Sequence, residues 1–164
     1  MIEAHFLFGL PYERIEVVLQ PTSVVHALVR FRDGASLAHL GYPDMRVPIA
    51  FALTYPERTA TPVPALDFSQ GLVLEFEPPD LETFPLLVLA RRAGEQGGTY
   101  PCAFNAANEV AVAAFLEGRL PFLAIASTVR ETLAEVDGAA ARDLDELVEA
   151  DREARRLAER ASVA

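Results

Sequence analysis

An α+β chain is what three features of the sequence predict. Asp33-Gly34 sits between two apolar runs, SVVHALVRF and SLAHL, where a two-residue hairpin turn belongs. Pro62, Pro64, Pro78 and Pro79 punctuate the stretch from Arg58 to Pro79, as in an extended connector. Beyond Asp80 the apolar spacing becomes helical, and four helices joined by short loops make a small four-helix bundle. The predicted order is helix, strand, β-hairpin, helix, connector and bundle.

MIEAHFLFG reads as the end of a helix, with Gly9 as its C-cap and Pro11 just beyond. An amphipathic helix that begins at the initiating Met, without a cap before it, suggests a chain that starts inside a larger unit. Ile15–Gln20 has the β-branched content of a short strand, stopped by Pro21. A two-residue turn at Asp33-Gly34 would set Phe31 against Ser36, Val29 against Ala38 and Ala27 against Leu40. His26, Leu28 and Arg30 would then share the other face with Leu37 and His39. Two histidines on one face could serve a site or simply form a half-exposed polar face, and without a carboxylate they make a weak metal site.

Asp44 is positioned to cap a helix running to about Tyr55, with Pro48 in its first turn and Pro56 ending it. The stiff loop before it, Gly41 to Arg46, mixes aromatic, sulfur and charged groups and could lean over a pocket. LVLEFE, within the connector, has the composition of one short edge strand. Thr83 or Asp80 can cap a helix LLVLARRAGEQ that stops at Gly97-Gly98.

Tyr100–Leu116, YPCAFNAANEVAVAAFL, is apolar almost all round, so it should be the central, buried helix of the bundle. Its alanines allow close approach, while Phe104, Phe115 and Leu116 supply bulk. Asn105, Asn108 and Glu109 stand at i, i+3 and i+4 on one stripe. They read either as hydrogen-bonding groups that orient the helix or as a ligand site. Phe122, Ile125, Val129, Leu133 and Val136 mark the next helix, closed by Asp137-Gly138. The last helix runs from Asp143 to about Ala161, acids first and arginines last in accord with the helix dipole, with Leu144, Leu147, Val148, Leu157 and Ala158 on its buried face.

The bulk properties narrow the function classes. The formal charge of −10 disfavours nonspecific nucleic-acid binding. One cysteine, Cys102, forms no internal disulfide and reads as a small core residue. The acidic start has no basic n-region of a signal peptide, and no apolar run reaches a membrane span, so a cytoplasmic protein is expected. GxGxxG, GxxxxGK[ST], HExxH, CxxC and GxSxG are all absent. On residue chemistry alone an enzyme is no better supported than an interaction module.

The run PTSVVHALVRFRDGASLAHLGYPDMRVPIAFAL, then LDF, a Phe-Pro before a helix, EQGG and FNAANEVAVAAFL, resembles 1-deoxy-D-xylulose 5-phosphate reductoisomerase in order and spacing. The resemblance spans essentially the whole chain but only the C-terminal part of that family's. It implies a catalytic-domain end at residues 1–57, a connector at 58–79 and a C-terminal helical bundle at 80–164. The family enzyme isomerises and reduces deoxyxylulose phosphate to methylerythritol phosphate for isoprenoid synthesis by the non-mevalonate pathway. It uses NADPH and Mg²⁺ or Mn²⁺, and pairs as a homodimer.

By the same resemblance the ion is held by an Asp and two Glu, the last of them falling one position ahead of Met1, and the NADPH-binding domain also lies outside this sequence. No cofactor or metal is therefore expected on this chain, no activity is expected of it in isolation, and its partner would be the N-terminal portion of the enzyme. His26 matches a histidine of the active-site surroundings, Pro43 and Met45 a loop against the mobile lid, and Glu3 an acid beside the metal-binding Glu. Asn105, Asn108 and Glu109 match the family's bundle signature, in a structural role. The alternative is a non-catalytic helical module for binding or oligomerisation.

Overall fold

A computed structural model describes residues 1–162. It contains helices α1 (Ile2–Phe8), α2 (Arg46–Thr54), α3 (Leu86–Gln96), α4 (Tyr100–Leu116), α5 (Ala124–Glu135) and α6 (Leu144–Ala161). A 3₁₀ turn covers Tyr12–Arg14, and strands β1 (Val25–Arg30) and β2 (Ser36–Leu40) form an antiparallel pair. The mixed α+β class expected from the sequence is what the chain adopts.

Two compact units divide the chain: Met1–Val17 with the chain from Pro79 onward, and Val18–Pro78. These cuts differ from the sequence-based divisions after residues 57 and 79. The first residues join the helical unit because Arg91 of α3 donates to the Tyr12 and Ile15 carbonyls.

In the helical unit α4 packs on α3, α5 and α6. Its buried positions are Ala103, Ala106, Ala107, Ala111 and Ala114, whereas Phe115 and Leu116 are exposed. The helix is central because its alanines let three neighbours approach, and of the three bulky residues expected to fill the core Phe104 packs against it. Leu89, Val129 and Ala158 close on Ala107 in one cluster, Leu120 and Ile125 join Ala111 and Ala114 in a second, and Ala154 meets Ala103 and Ala106 in a third.

Asp143 caps α6, its carboxylate accepting from the Glu146 N–H at 2.9 Å. Its buried face is Ala154, Leu157 and Ala158, and Leu144, expected inside, is 72% exposed. Val148 and Phe122 are exposed as well. Leu144 and Val148 lie in the opening turns of α6, and Phe122 lies in the loop before α5, its ring edge-on to those of Phe84 and Phe115. Asp80 caps neither α3 nor another helix: it accepts from the N–H groups of Glu82 and Thr83, 3.0 Å each, in the turn before it.

In the Val18–Pro78 unit the hairpin register is one residue away from the predicted one. Arg30 pairs with Ser36, Val29 with Leu37, Leu28 with Ala38 and Ala27 with His39. Phe31 and Ala35 close the loop at 2.8 Å around Arg32, Asp33 and Gly34, with Gly34 at φ +90°. A three-residue loop with glycine in the left-handed region replaces the two-residue turn, and every side chain changes partner.

The segments read as strands, Ile15–Gln20 and LVLEFE, meet only at an isolated Leu19–Glu77 bridge with hydrogen bonds of 2.8 and 2.9 Å. Strand composition alone does not make a strand without a continuous partner ladder.

Candidate functional site

The histidine pair expected on the hairpin is present, by a route the predicted register did not contain. A register shift between Val25 and Ala27 leaves His26 as the bulged residue of β1. Both His26 and Ala27 thereby oppose His39, and the two imidazole rings meet edge-on with centroids 5.6 Å apart. In an unbulged ladder His26 would have projected to the opposite face.

The segment before β1 is built to hold this ring. The Gln20 carboxamide oxygen accepts from the N–H groups of Val24 at 2.6 Å and Val25 at 3.3 Å, and its nitrogen donates to Thr22 Oγ1 at 2.7 Å. Ser23 closes a turn onto the Gln20 carbonyl at 2.9 Å and adopts φ +52°, a conformation L side chains rarely take. The Ser23 carbonyl lies 2.9 Å from His26 Nε2. A carbonyl only accepts, so Nε2 carries the proton and Nδ1 of the neutral ring remains the basic nitrogen. His26 is exposed, and Gly41 stands 4.0 Å from its ring at the Cβ position.

The loop before α2 is pinned by one ion pair. Asp44 accepts from the Arg46 N–H at 2.9 Å and takes the guanidinium in a fork, Nη2 to Oδ2 at 2.6 Å. That fork holds the Asp44 carboxyl at about 2. Pro43 and Met45 are left exposed on either side of it. Asp44 acts here as an anchor for Arg46 rather than as an ordinary N-cap.

In the helical unit Glu3 stands exposed in the first turn of α1. The stripe on α4 turns out to be half of an interhelical network. Asn105 donates to Glu109 at 3.0 Å, and Glu109 accepts from Arg155 of α6 at 2.7 Å. Arg155 also donates to Asp151 at 2.7 Å. Hydrogen bonds from Arg155 and then Asn105 keep the Glu109 carboxyl below its ordinary value. Asn108 is half-buried on the same helix.

Sequence reasoning missed Tyr12, Arg91, Gly94, Gln20 and Ser23. Nothing in the local pattern announces Tyr12, Arg91, Gly94 or Ser23, which act on residues distant in sequence or through an unusual backbone conformation, while Gln20 acts locally, its side chain capping the N–H groups of Val24 and Val25.

Among the described residues no three His, Cys, Asp or Glu side chains converge in a group that could hold a metal ion. No described helix is long and apolar enough to cross a membrane.

A family model for the DXP reductoisomerase C-terminal domain matches residues 40–157. The chain belongs to this family. Among curated DXP reductoisomerases, that of Burkholderia cenocepacia (strain HI2424) is 54% identical over 158 residues, covering 96% of this chain and 40% of the relative. The enzyme of Acidithiobacillus ferrooxidans (strain ATCC 53993 / BNL-5-31) is 51% identical over the same length. The solved reductoisomerase of Zymomonas mobilis in complex with NADPH superposes with a TM-score of 0.91 at 42% identity, covering 99% of this chain and 43% of that one. A DXP reductoisomerase in complex with NADPH, fosmidomycin and magnesium gives 0.87 at 41% identity, covering 98% and 41%. The chain thus spans about 40% of the length of the curated reductoisomerases it matches.

Proposed function

We propose that the chain is the C-terminal portion of a cytoplasmic 1-deoxy-D-xylulose 5-phosphate reductoisomerase and turns over no substrate by itself. Residues 1–57 would complete the catalytic domain, 58–79 connect, and 80–164 form the helical bundle. NADPH and Mg²⁺ or Mn²⁺ would be held by the part of the enzyme that this chain does not span, and the complete enzyme would pair as a homodimer.

One observation carries this reading beyond the family match. In Val18–Pro78 the only buried hydrophobic residue among those described is Val24, 7% exposed. Leu28, Val29, Phe31 and Leu37 of the hairpin and Ile49 and Leu53 of α2 are exposed. A two-stranded hairpin with apolar side chains on both faces is unstable alone in water, and such a surface is made to be covered. The rest of the enzyme is the cover this reading supplies.

Within that enzyme His26 would stand in the active-site surroundings, its Nδ1 free to accept. Pro43 and Met45 would meet the mobile lid from the loop that Asp44 and Arg46 hold rigid. Glu3 would lie beside the metal-binding Glu, and Asn105, Asn108 and Glu109 would orient α4, the first and last through Arg155. The alternative, a helical module for binding or oligomerisation, draws on the separate core of the helical unit.

The test follows NADPH oxidation with deoxyxylulose phosphate and Mg²⁺, using the chain alone and mixed with the N-terminal portion of a close relative. Silence alone and turnover on mixing support the proposal. Turnover by the chain alone refutes it, and silence in both with a folded helical spectrum selects the non-catalytic module.

A further inference from the structure

The turn at Tyr12–Arg14 lies far from α3 in sequence, yet two contacts of different kinds fasten it there. Arg91 Nη1 donates to the Tyr12 carbonyl and Nη2 to the Ile15 carbonyl, both at 2.7 Å, across sequence separations of 79 and 76. This is a charge-assisted fork closed on main-chain oxygens, a geometry suited to guanidinium and not to a single ammonium head.

The Tyr12 ring fills a notch that exists because residue 94 is glycine. A Cβ there would sit 2.5 Å from the ring carbon Cζ and 2.9 Å from Cε1. The ring is also stacked on His5 of α1, with centroids 4.4 Å apart and planes 16° from parallel. His5 is fixed in turn, its Nδ1 lying 2.7 Å from the Leu10 carbonyl.

Tyr12 is thus held between α1 and α3 at 5% exposure, and its hydroxyl has no hydrogen-bond partner. Leaving a buried hydroxyl unpaired is unfavourable, so shape and the Arg91 fork, not the hydroxyl, set the ring's position.

We infer that Arg91, with the notch at Gly94, fixes the orientation of α1 on the helical unit and is a positioning residue for the segment that carries Glu3. Its bearing on catalysis rests on the function proposed above, whereas the socket itself rests on the contacts alone.

Amide hydrogen exchange on this chain, read by mass spectrometry, tests the socket. Arg91→Met keeps the aliphatic stem and removes the fork, and it should speed exchange at residues 4–16 at least tenfold while α4 and α6 stay as in the wild type. Arg91→Lys, reaching one carbonyl at a time, should fall between the two. Tyr12→Phe should leave exchange unchanged, because its hydroxyl is unpartnered. Wild-type protection of residues 4–16 in Arg91→Met overturns the inference. Should Arg91→Met unfold as a whole, Tyr12→Ala opens the socket from the other side, and unchanged exchange there overturns it equally.

The catalytic arm uses the chain mixed with the N-terminal portion of a relative. Arg91→Met should lower kcat at least tenfold with the KM for NADPH held, and an unchanged kcat refutes the positioning role. A silent wild-type mixture alongside the expected exchange pattern refutes the enzymatic reading and upholds the socket.

Discussion

Gly138→Ala should destabilise the helical unit far more than Gly118→Ala, although both glycines have left-handed backbones at φ +66° and +72°. The shared cost is conformational: an L residue in the left-handed region loses about 1–2 kcal/mol relative to glycine. The difference is steric. Around Gly118 nothing lies within 4 Å of an added Cβ, whereas at Gly138 it would lie against three carbons of the Tyr100 ring, the farthest at 2.5 Å. Tyr100 opens α4, and the same corner is tied by the Thr99 N–H donating to the Ala139 carbonyl at 3.0 Å, so the ring has little freedom to retreat. Overpacking of this kind costs a further ~1–3 kcal/mol. The expected losses are about 1–2 kcal/mol for Gly118→Ala and about 2–5 for Gly138→Ala, or a Tm drop of about 2–8 °C against about 4–20 °C. Thermal unfolding followed by far-UV circular dichroism, with urea titration to check the ranking, measures both. Equal losses in the two variants would refute the argument, because the Tyr100 contact would then contribute nothing.

Two further predictions follow from burial and charge. Val129→Ala, at a fully buried position in the α3–α6 core, should cost about 1.5–3 kcal/mol in urea unfolding, while Leu144→Ala, largely exposed, should stay within about 0.5 kcal/mol. A large loss for Leu144→Ala would restore it to the buried face that the helical pattern suggested. The Asp44 carboxyl should titrate with a midpoint of about 2 in NMR, moving up toward the ordinary Asp value of about 4 in Arg46→Met. A depressed folded pKa gives a contribution to stability that is present above the unfolded value and lost as pH falls through the folded one. The loop at Pro43–Met45 should therefore keep its order down to about pH 4 and loosen toward pH 2.

The helices were legible in the sequence because their signals are local. Asp143 caps α6, Pro101 lies in the first turn of α4, and Gly9 ends α1 at φ +61°, each readable within one turn. Failures came where the deciding partner was distant or the choice nearly degenerate. Asp33-Gly34 announces a hairpin but does not say whether two or three residues make its loop, and that single residue reassigned every cross-strand pair. The bulge at His26 then brought the histidines together in spite of the slip. Ile15–Gln20 has strand composition, but strands are collective, and here its ladder shrinks to one bridge. Arg91 went unread, since nothing near position 91 shows that its fork would close on the carbonyls of Tyr12 and Ile15.

The two units are buried unequally, and under the proposed function that inequality bears on how the chain would join a larger enzyme. The helical unit has continuous apolar clusters through α3–α6 and needs no other chain to account for its core. The Val18–Pro78 unit leaves Leu28, Val29, Phe31, Leu37, Ile49 and Leu53 about half exposed or more. Completing the burial of each would contribute about 1 kcal/mol, half the value of a fully transferred side chain, or roughly 5–8 kcal/mol together. That is comparable to the whole net stability of a small domain, about 5–15 kcal/mol. The hairpin and the His26 bulge therefore draw their firmness from whatever covers them, whereas the Asp44–Arg46 pair pins the Pro43–Met45 loop and α1 draws its orientation from α3 through Arg91 and Tyr12. Under the proposed function, covering the hairpin and forming the surroundings of His26 would then be one event. Within the helical unit Arg91 and Tyr12 would hold α1 in a fixed direction on α3, so under the proposed function the socket at Arg91 would bear on chemistry that Arg91 itself does not touch.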